Sequence, residues 1–225
     1  NVTEELIQEH GANPKLMPYL HLPIQAGSNA VLKAMNRKHT KEDYIKIIER
    51  FRKARPDILL SSDFIVAFPG ETDSDFEETL KVVEAVGFPQ SYSFKYSPRP
   101  GTPASLKELV PEGTADARLQ TLQALLLKQQ KEFNASFLGK TVEVLFEGRS
   151  AKSIKHSKLE NRTNSGSEEI SQITGKTPYL QAVSINLEAG QNPESFIGKI
   201  LNVTITEIKE NSLFGVITSE GVNVF

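Results

Sequence analysis

The 225 residues are 38% hydrophobic and 24% charged, which supports a packed core and excludes wholesale disorder. With no cysteine, disulfides and any thiolate-held zinc or iron–sulfur centre within this sequence are excluded. The formal net charge is −2, so any nucleic-acid affinity must come from a local basic patch rather than from the chain as a whole.

No apolar run reaches the roughly 20 residues of a membrane span. Asn1 to Glu5 carries no export-signal pattern. The expectation is a cytoplasmic protein. The chain does not open on Met, which fits a piece of a longer polypeptide and equally a cleaved or trimmed chain. His10, His21, His39 and His156 show no ligand spacing, so no metal site is expected.

The first portion alternates helix-like and strand-like segments. Thr3 caps a helix to about His10. Tyr19 to Ile24 reads as a short strand, and Gln25-Ala26-Gly27-Ser28 as a polar turn with Ser28 capping the next helix. Thr40 caps a helix, with Asp43 at the capping-box position and Tyr44, Ile47, Ile48 and Phe51 on one face. Ile58 to Val66 reads as a buried strand interrupted by Ser61-Ser62-Asp63. A helix starts at Asp73 or Ser74 and stops at Gly87. Tyr92 to Tyr96 is a strand, Ser97 to Pro103 is irregular, and a long helix runs from about Thr114 to Phe137. Its apolar side carries Leu119, Leu122, Leu126 and Phe133.

Strands alternating with helices imply parallel pairing, with sites at the turns after strands. About three strands are too few to close a barrel, so the core is expected to be open. From residue 137 the composition changes. Strands are expected at 141–148, 179–187, 200–208 and 213–218, forming a small β-barrel. Residues 150–171 read as a polar loop.

Several groups carry chemistry, each beside an ordinary reading. The turn at Gln25 to Ser28 offers backbone N–H groups to an anion, or is a capped turn. Asp63, in an apolar strand, either faces a polar cavity or caps a helix. Tyr96 and Arg99 frame a proline-stiffened loop suited to a carboxylate or phosphate, or to a plain turn. His21 reads as an interior histidine before it reads as a catalyst. Arg149, Lys152, Lys155, Lys158 and Arg162 cluster in the polar loop against Glu160 alone. They are an RNA footprint or a solvated face.

Four motifs in register carry a resemblance. They are Leu20-His21-Leu22-Pro23-Ile24-Gln25-Ala26-Gly27-Ser28, Met35-Asn36-Arg37-Lys38-His39-Thr40, Ser61 to Thr72, and Tyr92 to Ala104. Together they resemble the radical-SAM methylthiotransferases, on the branch acting on dimethylallyl-adenosine in tRNA. His21 and Ala26 differ from what the ribosomal-protein branch tends to have, and Pro23 and Ser28 from the threonylcarbamoyl-adenosine branch.

The resemblance implies an α/β fold. Residues 1–136 would be the C-terminal half of a radical-SAM partial (βα) barrel, and 137–225 a TRAM domain, an all-β RNA-binding barrel. It implies S-adenosyl-L-methionine (SAM) and two 4Fe-4S clusters, whose cysteines would lie upstream of Asn1, leaving this chain inactive alone. The full enzyme would generate a 5′-deoxyadenosyl radical and methylthiolate C2 of the adenine. Gln25, Ser28, Asp63, Ile65 and Phe68 would line the SAM cavity, with Tyr96 and Arg99 near SAM or the base. Lys176, in Gly175-Lys176-Thr177, would join the basic loop on the phosphates of the tRNA anticodon arm. The competing readings are a stand-alone RNA-binding module and an iron-free SAM methyltransferase.

Overall fold

A computed structural model of the chain describes residues 2–150 and 171–223. It divides into two compact units, Asn1–Glu132 and Phe133–Phe225. Among the described residues no helix is long and apolar enough to cross a membrane.

The first unit contains helices α1 (Glu4–Ala12), α2 (Asn29–Ala34), α3 (Lys41–Ala54) and α4 (Asp73–Val86), and most of α5 (Glu112–Ala135). They accompany a parallel sheet of β1 (Tyr19–His21), β2 (Leu59–Val66) and β3 (Gln90–Lys95), in the order β1-β2-β3. The helix starts follow local chemistry. Thr3 and Ser28 accept backbone N–H groups at their own helix starts, and Thr40 with Asp43 and Thr72 with Asp75 form reciprocal capping boxes. Each such cap is worth about 1 kcal/mol. Gly87 ends α4 at φ 70°, a left-handed conformation that costs glycine little.

One face of the sheet is covered. Leu60, Phe64 and Val66 of β2 pack with Ile24, Tyr44, Ile48, Val83, Phe88, Leu122 and Leu126. Alternation along a strand sends Ser61, Asp63 and Ile65 to the opposite face. Two details depart from the sequence reading. Ser61 and Ser62 do not interrupt β2. Both are fully buried, and Ser62 Oγ accepts from Ile24 N at 2.9 Å while its own N–H donates to Ser91 Oγ at 2.9 Å. Polar side chains satisfied inside a sheet cost little. Conversely, β1 stops at His21. Pro23 has no N–H to donate, and pairing resumes only at Gln25, whose N–H donates to Asp63 O at 2.9 Å.

The second unit is a closed barrel of β4 (Thr141–Arg149), β5 (Gln172–Lys176), β6 (Ala182–Asn186), β7 (Ile200–Ile208) and β8 (Leu213–Asn223), in the order β4-β5-β6-β8-β7. Val144, Phe146, Ile173, Val183, Ile185, Val203, Ile205 and Leu213 fill it. Phe133 packs in this core with Phe137 and Tyr179, edge to face at 5.1–5.7 Å, and not with Leu122 and Leu126 as the helical stripe suggested. The strand that sequence missed is β5. Gly175 sits inside it because a Cβ there would lie 2.2 Å from Leu145 O on β4.

Candidate functional site

The sheet's second face carries the polar residues. Parallel register sets His21 beside Ser61, Ser61 beside Gln90, Asp63 beside Tyr92 and Ile65 beside Phe94. His21 Nδ1 lies 3.0 Å from Ser61 Oγ, and Nε2 lies 3.6 Å from Asp63 Oδ2. The imidazole side chain is 39% exposed, so His21 is not an interior histidine; it stands on the open face because its neighbours on either side alternate away from it. Asp63, 30% exposed, thus meets a histidine across the sheet and caps no helix. The pair can accept or hand on a proton at this face.

The turn from Gln25 to Ser28 is largely spent on structure. Gln25 is 8% exposed with φ 78°, and its main chain bridges to β2. A Cβ on Gly27 would lie 2.5 Å from Glu78 O, and Gly27 N donates to Thr79 Oγ1 at 2.9 Å. The close backbone approach expected here is therefore to α4 and not to a ligand. Ser28 is 5% exposed; it caps α2 and donates to Asp75 Oδ1 at 2.5 Å. Burial pushes the Asp75 carboxyl up, but the hydrogen bonds from Ser28 and Thr72 outweigh it and hold its pKa below the ordinary value.

Four of the other candidates converge. Ile65, Phe68, Tyr96 and Arg99 line one cavity of about 850 Å³ at the C-terminal ends of β2 and β3. Gln25, Ser28 and Asp63 do not line it. Phe68 and Tyr96 meet edge to face at 5.0 Å, and the Tyr96 hydroxyl is buried with no partner among the described residues. Sequence reasoning passed over Arg37 and Phe94, which line the same cavity. The signal was present, since Arg37 lies inside the Met35-to-Thr40 motif and Phe94 inside the Tyr92-to-Ala104 motif.

A buried clamp shapes the cavity wall. Ala67, at φ 57°, donates its N–H to Glu71 Oε1 at 2.9 Å. Arg118 Nη1 reaches the same oxygen at 2.9 Å and Glu71 O at 3.1 Å, while Nη2 meets Asp73 at 2.6 Å. Burial is the largest influence on the Glu71 carboxyl and pushes its pKa up, against the opposing pull of the Ala67 N–H and Arg118. The clamp holds the Ala67–Phe68 corner that forms one wall of the cavity.

In the barrel, Arg149 pairs with Glu194 at 3.4 Å and both are exposed. Lys176 is exposed at the end of β5. Lys152, Lys155, Lys158 and Arg162 lie outside the described residues. Among the described residues, no group of three His, Cys, Asp or Glu side chains converges to hold a metal ion.

Comparison with known proteins bears on both units. Residues 2–83 match the Radical SAM superfamily model and residues 135–218 the TRAM domain model. The chain is 52% identical over 213 residues to a tRNA-2-methylthio-N(6)-dimethylallyladenosine synthase of Wolbachia pipientis, covering 94% of this chain and 44% of that protein. It is 50% identical over 215 residues to the synthase of that name from Cereibacter sphaeroides, and 51% over 217 residues to that of Rickettsia rickettsii; each match covers 96% of this chain and 44% of the relative. The chain therefore spans less than half the length of the curated relatives it matches. Within the parallel α/β unit, residues 2–83 are thus similar to the Radical SAM superfamily, and the closed five-stranded barrel is similar to TRAM domains over residues 135–218.

Proposed function

We propose that this chain is part of a cytoplasmic tRNA-modifying enzyme that methylthiolates C2 of N6-dimethylallyladenosine next to the anticodon. The observation that carries the reading is identity of 50–52%, over at least 94% of this chain, to synthases named for that product. On this reading residues 1–136 belong to the radical-SAM core and 137–225 to the TRAM domain. SAM, acting with two 4Fe-4S clusters, supplies hydrogen abstraction, sulfur and the methyl group when bound.

The residues present fit part of that equipment. A cavity of about 850 Å³ with an orphaned Tyr96 hydroxyl and apolar walls at Ile65 and Phe68 suits the nucleoside of SAM, with Arg99 at its rim. Asp63, with His21, supplies polar contacts on the adjoining sheet face. The Gln25 main chain fixes the turn beside β2, and the Ser28 hydroxyl is taken up by Asp75. The clusters find no ligands here, because the chain has no cysteine. The expected result is that the 225-residue chain retains no stoichiometric iron after anaerobic reconstitution and does not cleave SAM. Stoichiometric iron with cluster absorption in the visible overturns the assignment of the cluster ligands to another part of the polypeptide.

The TRAM unit is assigned the tRNA anticodon arm. Residues 137–225 hold nine Lys and Arg against ten Asp and Glu, so affinity must be local. Arg149, Lys152, Lys155, Lys158, Arg162 and Lys176 are assigned to phosphates. Neutralising a phosphate releases condensed counterions, so replacing Lys152, Lys155 and Lys158 by Ala should flatten the log Kd against log salt slope by about 2. Binding of an anticodon stem-loop should weaken about equally for every loop sequence. Retention of both slope and affinity by the triple variant would show the loop to be merely solvated.

A further inference from the structure

Helix α1 lies against α3 through a small apolar seat. Ile7 shares a cluster with Phe51 of α3 and with Ile58, and Ile47 and Ala54 pack beside it. The two helices approach closely, since a Cβ on Gly11 would lie 2.8 Å from Ala54 O. Between Ile7 and Gly11, His10 turns inward. It is 8% exposed, and its ring meets that of Phe51 edge to face at 5.4 Å. Its Nδ1 is buried and has no partner among the described residues. The imidazole therefore fills an apolar seat and serves no polar contact through that nitrogen.

The charges around the ring do not favour a second proton. Arg55, just past α3, donates through Nη1 to His10 O at 3.3 Å and to Leu16 O at 2.6 Å, and its Nε lies 3.5 Å from Asp57. It ties down the turn after α1 and sets a fixed positive charge near the imidazole. Glu9, the neighbouring carboxylate on α1, accepts from Asn13, and Glu4 pairs with Arg50. Among the described residues no carboxylate pairs with the His10 ring. A protonated ring would present a buried Nδ1–H to no acceptor, beside a second cation. Burial, and after it the Arg55 charge, hold the imidazole below the usual histidine range. The fold thus favours the neutral ring. Docking is fully supported above the ordinary histidine value of about 6.5 and loses support as pH falls through it toward the lowered value.

We propose that α1 is a proton-operated latch, docked on α3 while the His10 ring is neutral and released when the ring takes a second proton. Release uncovers Phe51 and Ile58, which are buried beneath it. The device stands apart from the tRNA reading. Other groups are separable from it. Glu5, Asp43 and Asp75, which cap helices, are held below the usual carboxylate range and titrate at lower pH. Glu71 is pushed up, but it belongs to the clamp under Ala67 and Phe68, so its titration is read in amides 67–72 and not in α1. His21 stands on the open sheet face and contacts Ser61 and Asp63.

The test is hydrogen exchange of the full 225-residue chain at about pH 7.5 and about pH 5.5, on either side of the ordinary histidine value, with rates corrected for the intrinsic effect of pH. In the wild-type chain, amides Ile7 to Ala12 should lose protection severalfold at the lower pH. The ceiling is about tenfold, the limit for one histidine released to its ordinary value. Amides Leu60 to Val66 of β2 should change little. His10→Leu removes the titrating group and keeps the apolar seat filled, so protection of its α1 should be the same at both pH values. Proton NMR of the wild-type chain gives a second reading that needs no variant. The His10 Cε1–H resonance should titrate with a midpoint below about 6.5. A midpoint at or above that value, with α1 protected throughout, overturns the inference. So do wild-type α1 amides that keep full protection at the lower pH. An equal loss in His10→Leu also overturns it, because the effect then belongs to another group.

Discussion

Arg118→Ala is expected to destabilise the α/β unit by about 3–5 kcal/mol, the usual cost of removing one partner from a buried ion pair. The Arg118 side chain is 7% exposed and that of Glu71 is 1% exposed. Truncation leaves the Glu71 carboxylate buried, with only the Ala67 N–H at 2.9 Å to support it. The ion pair with Asp73 contributes little, because Asp73 is 90% exposed. Phe76 also loses the guanidinium 5.8 Å above its ring. The measurement is hydrogen exchange of amides 59–72 against urea. Arg118→Ala combined with Glu71→Gln should recover a large part of the loss, because no charge is then left buried. A loss below about 1 kcal/mol in the single variant would mean that Glu71 is already neutral in the fold. The same exchange experiment reports on the cavity, since the clamp holds the corner carrying Phe68.

Gly175→Ala is expected to cost the barrel about 3 kcal/mol, at the upper end for overpacking. The added carbon would sit 2.2 Å from Leu145 O and 2.8 Å from Val144 Cγ1. The first obstacle is backbone, which cannot rotate aside as a side-chain tip can. Relief requires β4 and β5 to separate where Phe146 pairs with Gly175, beside a register shift that already bends β4. Amide exchange in Leu145 to Gly148 and in Ile173 to Lys176 should accelerate more than in β7, which pairs with β4 farther along, from Thr141 to Leu145. A variant with unchanged exchange in β4 and β5 would show that the strands part without cost.

Much of the architecture was legible because local chemistry and the tertiary result agree. The threonine and serine caps start α1, α2 and α3 where the residues indicate, since a side-chain oxygen three residues before an N–H needs no distant partner. The 3.6-residue spacing of Tyr44, Ile48 and Phe51 places all three in the interior for the same reason. Where the reading went astray, the deciding partner was far along the chain. Ser61 and Ser62 look like an interruption until His21, Ile24 and Ser91 are seen to satisfy them. β5 goes unread until β4 is placed against Gly175.

The same division holds for the candidate site. Sequence by itself determined the motif identities, the lack of any thiolate ligand, and the strand-end location of Ile65, Phe68, Tyr96 and Arg99. It also carried the resemblance that named the radical-SAM and TRAM units. Only tertiary structure decided which residues have free functional groups. Ser28 and Gly27 are consumed by Asp75 and by the α4 backbone, whereas Arg37 and Arg99, 62 positions apart, face one cavity with no carboxylate on its walls. Capping and periodicity act over three or four residues and are written locally. Whether a guanidinium is paired or a hydroxyl is met depends on atoms brought together from tens of residues away, and folding alone sets that.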